Sequence, residues 1–329
     1  MHGTRRRLAA ILVVFATVSG LAAAVLYQTR DRHLGVHEDH FDKGVLLHET
    51  GSMSSGSQPM VFRAPGSPVL VAAALSIRDG ALTLVRPFGV AAPEGGRLIT
   101  ALAVQAGLLG VLGAAIFWFA RPQTGAVIAA AGAAAVACHP LLLIMAGHVS
   151  YELLHTVLVT IASLMLIRRV ADGEPGSAAM FGSGLVWGIT TLVKSVTLVA
   201  PAFILLWASL HYGVRRAARA TAFFTAGLVL IVAPYTLRNY LVTDRFIPVN
   251  AQAAIAIWTT SFERIPSDAN YLPWKPFFAS QVMKVYTDVT GASEYKLAVF
   301  EEHVLELEDR FRVLAADNLR RDPTVYGYN

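Results

Sequence analysis

The chain has 329 residues, of which 55% are hydrophobic and only 15% charged, and its mean hydropathy is +0.52. Soluble globular domains carry nearer a quarter charged residues, so this balance argues against a soluble fold. The formal charge of +5 and the pI near 9.4 do not point to nucleic acid, because the basic residues are spread among short loops and form no basic helix or aromatic-interleaved patch.

In chain order, Arg5, Arg6 and Arg7 precede an apolar run from Leu8 to Tyr27. The basic start and the small stretch Ala22-Ala23-Ala24 have the form of a signal peptide. The length suits a full crossing and other spans follow, so an uncleaved first helix is expected. Residues 28–97 form a long mixed segment of balanced charge. Apolar spans then run over 98–120, 124–146, 153–167, 178–193, 196–212 and 219–237, each near the length that crosses a bilayer. Small residues such as those from Ala129 to Ala137 suit close helix approach in lipid. The single cysteine, Cys138, lies in an apolar block and reads as a small buried hydrophobe. His139-Pro140, inside the same span, marks a bend.

The expected fold class is therefore all-α, a polytopic transmembrane helical bundle of about seven spans with long outer loops. Arginine and lysine in short loops set the orientation. With the N-terminus and Arg5–Arg7 in the cytoplasm, Arg121, Arg168, Arg169, Arg215, Arg216 and Arg219 all fall inside. The turns near Gly147–Glu152 and around Lys194 fall outside, as do residues 28–97 and the C-terminus. Residues 1–237 read as a transmembrane domain, with its first outer loop at 28–97, and 238–329 as an outer segment too polar to span. Within that segment Leu297, Phe300, Val304, Leu307, Phe311 and Leu314 recur at helical spacing. Glu301, Glu302, Glu306, Glu308 and Asp309 lie between them, which predicts one amphipathic helix ended by Asp322-Pro323.

The first outer loop opens His37-Glu38-Asp39-His40-Phe41-Asp42. Carboxylates at a membrane face suit general-base work on an acceptor hydroxyl or amine, although an acidic run in an outer loop is also an ordinary solvated surface. The flanking histidines add only a weak metal signal, since consecutive residues seldom form one organised site. Arg63 follows in Arg63-Ala64-Pro65-Gly66-Ser67-Pro68, and an arginine fork matches the oxygens of a phosphate leaving group. Glu152 at a helix start, Lys194 between two spans and Arg238 at a helix end are further candidates. Each has an ordinary reading as well: helix-dipole stabilisation, snorkelling to the headgroups, and interfacial anchoring.

The stretch Ala233-Pro234-Tyr235-Thr236-Leu237-Arg238-Asn239-Tyr240 resembles the proline–aromatic–x–x–Arg–Asn stretch of bacterial glycosyltransferase family 39 relatives, the protein mannosyltransferase and aminoarabinose transferase types. Phe246, Pro248 and Trp258 follow in the family's order. Glu38-Asp39 with Phe41, Arg63 to Pro68, Ser150-Tyr151-Glu152 and the acidic helix over 301–323 resemble its other motifs, also in order. The resemblance implies a GT-C membrane fold in the plasma (inner) membrane. It also implies an inverting transfer of a sugar from a polyprenyl-phosphate carrier to an acceptor on the outer face. By the same resemblance Asp39 or Glu38 is the base, since His37 stands where the family has its leading aspartate. Arg63, Lys194 and Arg238 meet the phosphate, and Glu152 is a second site carboxylate. The partners expected are the lipid-linked sugar and membrane lipids, with no nucleic acid. No cofactor is assigned beyond that donor, and acceptor identity and metal dependence stay open. Family members continue through further spans where this chain stops, which keeps a truncated or non-catalytic relative acting in membrane assembly or lipid binding as an alternative. A transporter is less favoured, because charges lie at span ends rather than mid-membrane.

Overall fold

The computed structural model describes residues 2–29, 39–54, 60–85, 95–171, 176–260 and 271–321, and every regular element among them is a helix. The chain divides into two compact units, one of residues 1–53 and 65–234 and one of residues 54–64 and 235–329. The boundary lies close to the end of the last predicted span. The short segment 54–64 of the first loop joins the C-terminal unit.

The first unit contains α1 (His2–Gln28), α2 (Asp39–Thr50), α3 (Gly66–Val85), α4 (Gly96–Thr124), α5 (Ala126–Ala137), α6 (Pro140–Gly147), α7 (Tyr151–Ala171) and α8 (Ser177–Val193). A 3-10 turn over Ser195–Val199, α9 (Ala200–Tyr212) and the first part of α10 (Val214–Thr243) complete it. Six of the described helices are long and apolar enough to cross a membrane, or seven if α5 and α6, bent by 50° at their junction, make one span. The chain is a multi-pass helical membrane protein. The bend falls at His139-Pro140, where His139 caps α6 by accepting a hydrogen bond from the Leu141 amide at 3.3 Å.

One apolar helix falls where the sequence predicts only mixed outer loop. Gly66–Leu84 has a mean hydropathy of 1.3, the lowest of the six, because Arg78 and Asp79 interrupt its apolar run. In its place Ser177–Val193, expected as a full span, is a shorter apolar helix.

Helix α1 lies antiparallel to α4. Ala10 and Ile11 share a cluster with Phe117 and Ala120, whereas Val18, Ala22 and Leu26 share one with Ala106 and Leu109. The two backbones approach through glycine: a Cβ on Gly110 would meet the Phe15 carbonyl oxygen at 3.0 Å, and one on Gly113 would meet Val18 at 3.2 Å. The bundle thus has one end at the start of α1 and the close of α4. At the other end, α2 and α3 pack against the first turns of α4, with Phe41, Val71, Leu75, Ala101, Leu102 and Val149 in one cluster. His48 ties the α2–α3 hairpin together, pairing with Asp79 at 2.9 Å and Ser76 at 3.1 Å.

The second unit comprises the last turns of α10, α11 (Ala253–Thr260), α12 (Tyr271–Thr290), α13 (Leu297–Glu302) and α14 (Val304–Arg321). Its core joins Val61 and Phe62 to Trp258, Tyr286, Phe300 and Phe311. The predicted amphipathic helix is two helices broken at His303, with Phe300, Val304, Leu307 and Phe311 buried as expected. Glu308 departs from the pattern. It is only 8% exposed, and its carboxylate accepts a hydrogen bond from the Ala254 amide at 2.7 Å, capping the start of α11. Helix α14 is described as far as Arg321, just before Asp322-Pro323.

Candidate functional site

At the end of the first unit where α2 and α3 pack, the turn before α7 is shaped by Val149, whose φ of 51° lies in the left-handed region. A β-branched residue takes that conformation only when its surroundings hold it there, and Val149 is 1% exposed within the hairpin cluster. Ser150 then caps the helix, accepting from the Glu152 amide at 3.1 Å. Tyr151 and Glu152 are thereby fixed on the first turn of α7.

Opposite them, α8 ends at Lys194, an extended residue (φ −148°, ψ 113°) between α8 and the 3-10 turn. Its ammonium donates to both oxygens of Glu152, at 2.7 and 2.9 Å, and lies 5.5 Å from the centre of the Tyr151 ring. Each side chain of the pair keeps about a third of its surface open, at 35% for Lys194 and 31% for Glu152. His40, buried at the start of α2, packs a tilted ring against the same Tyr151, with centroids 4.4 Å apart. That contact brings the helix start that carries Asp39 beside the helix start that carries Glu152.

A groove of about 460 Å³ opens next to the pair. Its lining begins with His155, one turn along α7 from Glu152, and with Val196 and Thr197, two and three residues after Lys194. Val159, Leu166, Trp187, Val199, Phe203 and Ile204 make the rest almost wholly apolar. The arrangement is an ion pair one helical turn from an apolar groove that neither of its members lines. A lysine there offers a positive group to an anion, and the groove offers apolar walls to a hydrocarbon chain.

No protein-family model matches the chain, and no curated protein or solved structure matches it either.

Of the residues singled out from the sequence, Glu152 and Lys194 come together as a two-hydrogen-bond ion pair. Asp39 opens α2, and Glu38, like His37, lies outside the described residues. Arg63 and Arg238 belong to the second unit. The Arg63 guanidinium sits 4.4 Å from the Phe62 ring centre. The Arg238 guanidinium donates to the Met60 carbonyl at 2.9 Å and to the Asn239 side-chain oxygen at 3.0 Å. Among the described residues no three histidine, cysteine or acidic side chains gather as a metal site. Sequence reasoning passed over His155 and Trp187. The three-residue step from Glu152 to His155 on one helix was the available signal.

Proposed function

We propose that the chain is a membrane glycosyltransferase with a GT-C-like fold, similar to glycosyltransferase family 39. It moves a sugar from a polyprenyl-phosphate carrier to an acceptor on the outer face of the plasma (inner) membrane. The observation that carries this reading is the Lys194–Glu152 pair beside an apolar groove whose lining includes His155, Val196 and Thr197. A polyprenyl chain occupies the groove and its phosphate meets the Lys194 ammonium. As the acceptor oxygen or nitrogen attacks the anomeric carbon, a first-loop carboxylate, Asp39 or Glu38, takes its proton. The bond from the anomeric carbon to the phosphate oxygen breaks, and Lys194 meets the charge left on the departing phosphate. Glu152 orients that ammonium. Arg63 and Arg238 remain the further phosphate candidates that the family resemblance implies.

In this reading the N-terminus is cytoplasmic and the C-terminus outside. The hairpin of α2 and α3 then lies at the outer surface even though Gly66–Leu84 has spanning length. Only that placement keeps Arg121, Arg168, Arg215 and Arg219 on the same side as the N-terminal arginines. A single cysteine introduced at Gly80, in a chain whose Cys138 is replaced by alanine, is expected to react with impermeant reagents from the outer side. Reaction only from the inside would overturn the orientation.

The deciding experiment is transfer of labelled sugar from polyprenyl-phosphate donors to cell-envelope acceptors by membranes carrying residues 1–329. Labelled product that disappears in a Glu38→Gln/Asp39→Asn variant supports the proposal. Product that is unchanged in that variant removes the first-loop carboxylates as the base. No product at all favours the non-catalytic, lipid-binding alternative.

A further inference from the structure

We infer that Arg121 and Arg168 form a binding site for the phosphate of an anionic phospholipid headgroup, at the end of the bundle remote from the groove mouth. A cavity of about 320 Å³ lies between α1, α4 and α7, lined by Ile11, Phe117, Trp118, Arg121, Pro122 and Arg168. Arg168 lies over the Trp118 ring at 4.2 Å and Arg121 beside the Phe117 ring at 5.7 Å. Both arginines are half-buried. Among the described residues neither guanidinium has a carboxylate or a hydrogen-bond acceptor, and no acidic residue lines the cavity.

Two other roles account for an arginine here, and neither accounts for the cavity. Arg121 and Arg168 each stand in the last turns of a helix, where the dipole favours a cation. Long basic side chains near span ends also snorkel to the membrane surface. Both effects act on one side chain at a time and are satisfied by water. Neither explains two guanidinium groups converging on one half-buried space with aromatic floors and no acceptor. A guanidinium carries five donors in a planar fork that matches paired phosphate oxygens, and it holds that geometry while stacked on a ring. Basic pockets between transmembrane helices at the headgroup level bind anionic lipid, and the partly exposed Trp118 suits the interfacial layer. The apolar parts of Ile11 and Phe117 lie where the upper acyl chain would pass. This site is independent of the sugar-transfer proposal, because it shares no residue with the groove or with the Lys194–Glu152 pair.

The test places the full chain in phosphatidylcholine nanodiscs and titrates in phosphatidylglycerol. Retained anionic lipid is counted by native mass spectrometry, and thermal stability is followed in parallel. The wild-type chain is expected to retain phosphatidylglycerol saturably and gain stability. Arg121→Gln/Arg168→Gln should bind on the order of thirtyfold more weakly, from about fivefold per arginine. An Arg121→Lys/Arg168→Lys variant keeps the charge without the fork and should fall between the two, which also covers a glutamine variant that fails to fold. Arg215→Gln/Arg219→Gln, which removes basic charge elsewhere, should leave retention unchanged. Equal retention in the wild type and the Arg121/Arg168 variants overturns the site. Equal loss in the Arg215/Arg219 variant shows general surface charge and also overturns it. Inorganic phosphate giving the same stabilisation as the lipid, and competing with it, assigns the site to a free anion and overturns the lipid source.

Discussion

Helices α8 and α10 meet where neither has a side chain, and that contact sets a quantitative expectation. A Cβ built on Gly184 would collide with the Phe224 carbonyl oxygen, and would stand 2.8 Å from the Phe224 carbonyl carbon and 3.1 Å from the Leu228 amide nitrogen. Carbon atoms in contact normally sit about 3.5–4.0 Å apart, so Gly184→Ala forces the two backbones apart by roughly 1 Å. The partner position responds in kind: a Cβ on Gly227 would strike the Phe181 carbonyl oxygen and approach the Leu185 amide nitrogen to 2.9 Å. These obstacles are backbone atoms that no rotamer change can move aside. The expected destabilisation of either single variant is therefore at the upper part of the usual overpacking range of about 1–3 kcal/mol. The double variant should cost less than the sum of the singles, since one separation relieves both clashes. Gly182, on the same helix, supplies the control, because nothing lies within 4 Å of its Cβ position. Gly182→Ala should leave stability unchanged or raise it by up to about 1 kcal/mol through helix propensity alone. Reversible unfolding of the full chain in mixed micelles reads all four variants. Equal stability of Gly184→Ala and Gly182→Ala would refute the backbone contact between α8 and α10.

Other expectations follow from single buried groups. Asn239 is fully buried, and its side-chain NH2 donates to the Ile247 carbonyl at 3.0 Å and the Val249 carbonyl at 3.1 Å. Asn239→Asp replaces those donors with a carboxylate oxygen facing two buried carbonyls, so a loss of at least about 3 kcal/mol is expected, visible as rapid proteolysis after residue 235. Trp258, 3% exposed with its ring 4.7 Å from Phe311, anchors the second core, and Trp258→Ala should cost about 3–5 kcal/mol in unfolding of the full chain. On the proposed sugar transfer, Lys194→Met should lower the rate by about 100-fold or more while moving stability by less than about 1 kcal/mol; transfer at the wild-type rate would remove Lys194 from the site.

The membrane class was legible because a bilayer demands long uninterrupted apolar runs, and those survive in composition alone. The limit of that signal is α3. Arg78 and Asp79 break its run, so a helix of spanning length reads as mixed loop until its partner α2 and the His48 clamp are seen. The bend at His139-Pro140 was readable because proline opening a helix and a capping residue before it are local events. Pairing was not readable. Glu152 and Lys194 each stood out alone, but their hydrogen bonds join residues 42 apart in sequence, and nothing periodic connects them. The groove is still less local, drawing its wall from α7, α8, the 3-10 turn and α9. Glu308 shows the same limit in reverse. It occupies a polar position in the helical pattern, yet it is buried because a distant helix start needs an acceptor.

The strength of the Lys194–Glu152 pair bears on why it is present. With about a third of each side chain open, the pair gains little net stability, at most about 1 kcal/mol, because water screens the attraction and two side chains must be ordered to make it. The surrounding arrangement is disproportionate to so small a return. A strained Val149, a serine cap, a buried His40 against Tyr151 and an extended residue between two helices all act to fix these two groups at one point. Structure that stabilises weakly but positions closely is what a site for a charged ligand requires, since orientation set in advance need not be supplied when the ligand binds. On the proposed function, an anionic head reaching Lys194 would compete with Glu152 for the ammonium, and a weak resting pair would keep that exchange inexpensive. The same two residues placed deep in the apolar wall would bind each other too tightly to yield. With about a third of each side chain exposed, Lys194 is held and still available.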